Sequence, residues 1–156
     1  DVYKRQVHNN TSQRAHVTAA FFEQWQQEHL VIDKWFTVQA MAVLSDTIQT
    51  VKSLFNHPDF DLKNPNRVRA LLGAFSSANP VCFHDPSGEG YRLLGAYVEK
   101  LNALNPQIAA RLLSPLTRWR RFDASAQALM KAELERLGQL PGLSRDVYEL
   151  VSKSLK

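Results

Sequence analysis

The 156-residue sequence holds a single cysteine, Cys82, which excludes an intramolecular disulfide framework and fits a reducing compartment. No run approaches the ~18 apolar residues that a membrane span needs, so no membrane partner is expected. No apolar stretch near the N-terminus marks a secretory signal, and the location expected is cytoplasmic. The first residue is Asp1 rather than Met, which leaves room for an upstream part. The five histidines, His8, His16, His29, His57 and His84, include no two that are four apart, so the His-Glu-x-x-His helix of zinc hydrolases is missing. One cysteine cannot supply the thiolate pair of a structural zinc. Accordingly, no metal ligands and no catalytic residues are expected in this chain. Gly88-Glu89-Gly90 is too short for a phosphate-cradling loop and reads as a loop with a helix start. No segment alternates apolar with polar residues over a useful length, which predicts essentially no strand.

What is present is ordinary for a globular domain: 44% hydrophobic and 22% charged residues, with a net charge of +4. The charge is spread along the chain rather than gathered in a tail, which is a weak pointer to nucleic acid. The most legible stretch is Asn64 to Phe75. Asn64 is a good N-cap, and Pro65 sits at the first helical position, where its missing N–H costs nothing. Val68, Leu71, Leu72 and Phe75 follow at i, i+3, i+4 and i+7, one face of a helix. Arg67 and Arg69 fall at roughly 100° to either side of that stripe.

The remaining chain reads as further helices. Asp1 to Asn10 shows no period and reads as a frayed or foreign lead. A first helix starts near Thr11 or Ser12 and ends near His29, with Val17, Phe21, Trp25 and Glu28 on one face. The second, Leu30 to Val43, turns Ile32, Trp35, Phe36, Gln39 and Val43 inward. Asp46 to Gln49 resembles a capping box opening a third helix, which runs to about Asn56. The helix begun at Asn64 continues to about Ala78, and Val81 to Ser87 forms an irregular connection. A fifth helix spans about Gly88 to Leu104. Asn105-Pro106 starts the sixth, which Pro115 interrupts. Asp123 caps the seventh, which ends near Gly138, and Ser144 caps the last. The fold class predicted is all-α: about eight helices as stacked antiparallel hairpins, an α-solenoid of the HEAT/ARM-like superhelical kind. No clean sequence repeat accompanies it.

Three groups of residues invite chemistry. Cys82 near His84 has the types of a nucleophile and a base, but residues two apart need not face each other, and a buried thiol beside a loop histidine is the simpler reading. Arg118 to Phe122, RWRRF, interleaves cations with aromatics as single-strand binders do. The simpler reading is that the cations complement a helix C-terminus while Trp119 and Phe122 pack, so nucleic acid is not expected as a partner. Arg69, Gln107 and Arg111 are polar positions beside apolar stripes, and spacing alone reads them as solvated helix flanks.

Four strings are more specific: LVIDKWF (Leu30–Phe36), DLKNPNRVRALLGAF (Asp61–Phe75), ANPVCFHDPSGEGY (Ala78–Tyr91) and LNPQIAARLLSPLTRWRRFD (Leu104–Asp123). They resemble the C-terminal helical domain of bacterial aminopeptidase N, also called alanyl aminopeptidase. The resemblance runs from about Ala15 to Lys156 and leaves residues 1–14 as an unmatched lead. It implies a parent enzyme that removes N-terminal amino acids from peptides, with zinc, the His-Glu-x-x-His helix and the reacting groups in a catalytic domain not contained in this sequence. It implies that this chain alone is inactive, caps that catalytic domain of the same polypeptide, and limits entry to peptide substrates. Arg69, Gln107 and Arg111 match the family's cavity-lining polar positions. A guanidinium there can hold a peptide carbonyl or carboxylate through a charge-assisted fork, and Gln107 and Arg111, four apart, can reach one ligand. The alternative is a stand-alone α-solenoid module that binds a protein or peptide on its concave face.

Overall fold

The computed structural model describes residues 7–8 and 13–156. Among these every regular element is helical, and the chain divides into two compact units, Asp1–Cys82 and Phe83–Lys156.

The first unit contains α1 (Arg14–Trp25), α2 (His29–Ala40), α3 (Thr47–Leu54), α4 (Pro65–Val68), a π-helical segment (Arg69–Gly73) and α5 (Ala74–Ala78). Asn64 caps α4 as its type predicts: its Oδ1 accepts from the N–H groups of Asn66 and Arg67 at 3.0 and 3.3 Å. Val68, Leu71, Leu72 and Phe75 are all fully buried, and α2 packs on the π-helical segment with Ile32 and Phe36 inward. The π geometry is a local departure from the α-helix expected over this stretch. Here the carbonyl of Ala70 accepts from Thr37 Oγ1 at 3.0 Å, a bond that ties the segment to α2.

Several expectations are corrected in this unit. Val43 is 55% exposed rather than inward, because α2 stops at Ala40. The chain turns there because Asn79, itself buried, donates from Nδ2 to the carbonyls of Ala40 and Ala42, both at 2.9 Å. Thr47 Oγ1 adds a 2.7 Å bond to Ala42. Asp46 precedes α3 but its side chain makes no cap bond; it pairs instead with Arg14 at 3.0 Å. The first helix ends at Trp25, not His29, and buries no residue fully, and its expected start at Thr11 or Ser12 lies outside the described residues. Most of the expected frayed lead also lies outside them. The two described positions there are packed: Val7 is buried, and a ring nitrogen of His8 bonds the Val38 carbonyl at 3.0 Å.

A short helix, α6 (Pro80–Phe83), replaces the first part of the irregular connection expected from Val81; Asn79 Oδ1 accepts from the N–H of Cys82 at 3.3 Å. The second unit then holds α7 (Glu89–Leu104), α8 (Pro106–Leu112), α9 (Ser114–Thr117), a 3₁₀ turn (Trp119–Arg121), α10 (Ala124–Gly138) and α11 (Arg145–Leu155). Gly88 precedes α7 with φ of 68°, a left-handed conformation that favours glycine. Asn105 and Asp123 cap α8 and α10 as predicted, through bonds to the N–H of Ile108 (3.2 Å) and of Ser125 and Ala126 (both 3.0 Å). Ser144 caps α11 through the N–H of Val147 at 3.4 Å. The interruption expected at Pro115 is realised as the break between α8 and α9. α7 packs on α8 and α10, α11 packs on α8 and α10, and Leu94, Val98, Leu101, Met130, Leu134 and Val151 fill the space between.

Candidate functional site: a polar depression on α8 and α11

The sequence-predicted residues fall into both units. Arg69 opens the π-helical segment of the first; it is exposed, and its Nη1 donates to Asn66 Oδ1 at 2.8 Å. Gln107 and Arg111 lie on α8 in the second, one helical turn apart and both exposed. They line one open depression of about 400 Å³ together with Ala110 and with Asp146, Glu149, Leu150 and Lys153 of α11. None of the α11 residues is expected at a site from sequence, and Leu150, which helical spacing places on the inward stripe with Val147, Val151 and Leu155, is instead 37% exposed. Their signal was available: 146, 149, 150 and 153 stand at i, i+3, i+4 and i+7, a single helix face, and three of them are charged. Within the depression Lys153 Nζ donates to Glu149 Oε1 at 2.6 Å. That bond, more than the neighbouring Arg145, holds the Glu149 carboxyl below the usual carboxylate range. The depression therefore offers hydrogen-bond donors and acceptors and both signs of charge, in contact with solvent. It can bind and orient a polar ligand.

Other polar groups serve packing. Arg67 is only 4% exposed, lies 5.2 Å over the Phe36 ring and pairs with Asp33 at 3.4 Å. That pairing was hidden in the sequence, where Arg67 and Arg69 look alike. Cys82 Sγ rests 3.7 Å from the carbonyls of Ala42 and Leu44, and His84 Nδ1 is 2.9 Å from the Tyr91 hydroxyl, so each has a structural partner. In the RWRRF stretch, Trp119 Nε1 and Arg120 Nη1 both donate to the Ser154 carbonyl, at 3.1 and 2.6 Å, near the end of α11. The Arg120 guanidinium covers the Trp119 ring at 4.3 Å, and Phe122 stacks on His84 at 4.2 Å. These are the helix-end and packing roles that the simpler reading expects.

The residues present do not fit a zinc ion: among the described residues no group of three or more His, Cys, Asp or Glu side chains could hold one. Nor is any helix among them long and apolar enough to cross a membrane.

Comparison with known proteins adds the lineage. The family model described as a domain of unknown function (DUF3458_C), ARM repeats, matches residues 3–156, beginning upstream of the Ala15 read from the sequence strings. Aminopeptidase N of Haemophilus influenzae is 46% identical over 138 residues, which is 88% of this chain and 16% of that protein. Aminopeptidase N of Caulobacter vibrioides is 48% identical over 136 residues, covering 87% of this chain and 16% of its own length. The Escherichia coli enzyme of the same name is 45% identical over 133 residues, 85% and 15% respectively. The crystal structure of Legionella pneumophila aminopeptidase A in complex with aspartic acid superposes on 98% of this chain with a TM-score of 0.93 at 35% identity, using 18% of that chain. This sequence thus spans about one sixth of the length of the relatives it matches. With its all-α, ARM/HEAT-like helices, it belongs to the ARM-repeat domain family found as a C-terminal domain in bacterial aminopeptidases.

Proposed function

We propose that this chain works as the C-terminal domain, residues 15–156, of a cytoplasmic zinc aminopeptidase that removes N-terminal amino acids from peptides. The zinc and the reacting groups belong to another part of the same polypeptide. The helical domain limits access to the catalytic site, and Arg69, Gln107 and Arg111 contact the portion of the peptide beyond the scissile bond. The observation that carries most of this reading is the sequence identity of 45–48% to three aminopeptidases N over nearly the whole chain. Its local support is chemical: Gln107 and Arg111 share one solvent-open depression, where a guanidinium can bind a carbonyl or carboxylate.

The test is kinetic. In the full-length enzyme, Arg111→Ala raises KM for peptides several-fold and leaves short chromogenic amides, which do not reach that far, nearly unchanged. Equal losses on both substrate types would remove Arg111 from peptide binding. The 156-residue chain supplied with zinc releases no amino acid from peptides; measurable release would overturn the assignment of catalysis to another part of the polypeptide.

A further inference from the structure

The depression on α8 and α11 has a charge arrangement not used above. Of its four charged residues, Glu149 and Lys153 are joined at 2.6 Å and largely cancel. Arg111 and Asp146 line the same space, yet among the described residues neither side chain takes part in an ion pair or a hydrogen bond. Two unlike charges around one space, not joined to each other, are each open to an opposite charge from a ligand. A purely anionic ligand on Arg111 would face the Asp146 carboxylate, and a purely cationic one on Asp146 would face the Arg111 guanidinium. A ligand carrying both signs meets neither penalty. Leu150, 37% exposed on the same face of α11, gives apolar surface for a methylene chain.

The geometry points to a subsite for the carboxyl-terminal basic residue of a peptide: the terminal carboxylate on Arg111 with the Gln107 amide beside it, the side-chain stem along Leu150, and the cation on Asp146. This inference rests on the proposal that Gln107 and Arg111 face peptide, and it adds Asp146 as the residue that selects a cation.

The experiment titrates the 156-residue chain, labelled with ¹⁵N, with Ala-Ala-Lys, Ala-Ala-norleucine, Ala-Ala-Glu and the C-terminal amides of the first two, reading the amide shifts of Ala110 and Leu150. Ala-Ala-Lys binds about two- to fivefold more tightly than the norleucine peptide, the size an exposed charge pair supports. Asp146→Asn removes that preference, and Asp146→Lys turns it toward Ala-Ala-Glu. Asp146 is exposed, so neither variant removes a packed group. Equal affinity for the lysine and norleucine peptides, or a lysine preference that survives Asp146→Asn, overturns the role of Asp146. If in that event the free acids still bind and the amides do not, the peptide-facing reading of Arg111 stands while the cation subsite falls. If acids and amides bind alike, or no peptide shifts these amides, both fall together.

Discussion

Close approach and burial give individual residues in this chain effects that their types do not announce. Gly95, inside α7, has the Glu133 carboxylate resting where a side chain would start: a Cβ there would lie 1.7 Å from Glu133 Oε1. Arg136 holds that carboxylate in place through Nε and Nη2 at 3.0 and 2.8 Å, and also reaches Glu99 at 2.8 Å. Gly95→Ala is therefore expected to cost about 1–3 kcal/mol as overpacking, despite the better helix propensity of alanine. Glu133→Ala in the same chain should recover part of the loss, which a chemical-denaturation double-mutant cycle would detect as a non-additive pair.

Burial also sets a pH dependence. His57 sits with ring centroids 4.8, 5.2 and 5.7 Å from Phe22, Trp35 and Phe36. Desolvation there pushes its pKa below the usual 6.5, outweighing the raising effect of Asp59, while Arg67 adds to the lowering. Burial pushes His84 down as well. The unfolded chain thus binds protons at a pH where the folded chain does not. The stability contributed is complete above about pH 6.5 and is lost as the pH falls through the lower, folded values. The melting temperature is expected to drop between about pH 7.5 and about pH 5.5 beyond what replacing both histidines by glutamine leaves. A melting temperature that climbs on acidification would contradict this.

Between helices, the contacts that matter join positions far apart in the chain. Asp33 on α2 and Arg67 on α4 form one such tie, with Arg67 nearly inaccessible to solvent. Arg67 Nε and Nη1 and Asp33 Oδ1 are buried without well-aligned hydrogen bonds, so the pair gains less than it would in ideal geometry. Asp33→Leu alone would strand a buried cation and is expected to destabilise by about 2–4 kcal/mol, whereas Asp33→Leu with Arg67→Met should cost much less. Comparison of the two unfolding midpoints checks this, and equal losses would show that the pair is net stabilising. The helix starts were legible because Asn64, Asn105, Asp123 and Ser144 act on N–H groups two or three residues away. The end of α2 was not, because the group that donates to its last carbonyl is the Asn79 amide, thirty-nine residues from Ala40. The same holds for the π-helical segment, whose Ala70 carbonyl bonds Thr37 on another helix.

Across the whole chain, large apolar side chains remain in contact with solvent: Leu30 is 75% exposed and Val81 65%. Exposed apolar surface of this kind favours association between copies of the chain. The isolated chain should accordingly self-associate, its weight-average mass in sedimentation equilibrium rising with loading concentration, and Leu30→Glu should weaken that rise. A single monomer mass at every concentration would argue that this surface is not adhesive.

Residue order alone settled the helical class, most helix starts and the core stripe of Val68, Leu71, Leu72 and Phe75, since caps and a 3.6-residue period act within a few positions of one another. It also carried the strings that resemble aminopeptidase N. It could not separate Arg67, buried on Phe36 beside Asp33, from Arg69, exposed on Asn66, nor set Asp146 beside Gln107 and Arg111. Those outcomes follow from which helix packs on which, and side-chain neighbours across a helix interface are fixed by packing rather than by spacing along the chain.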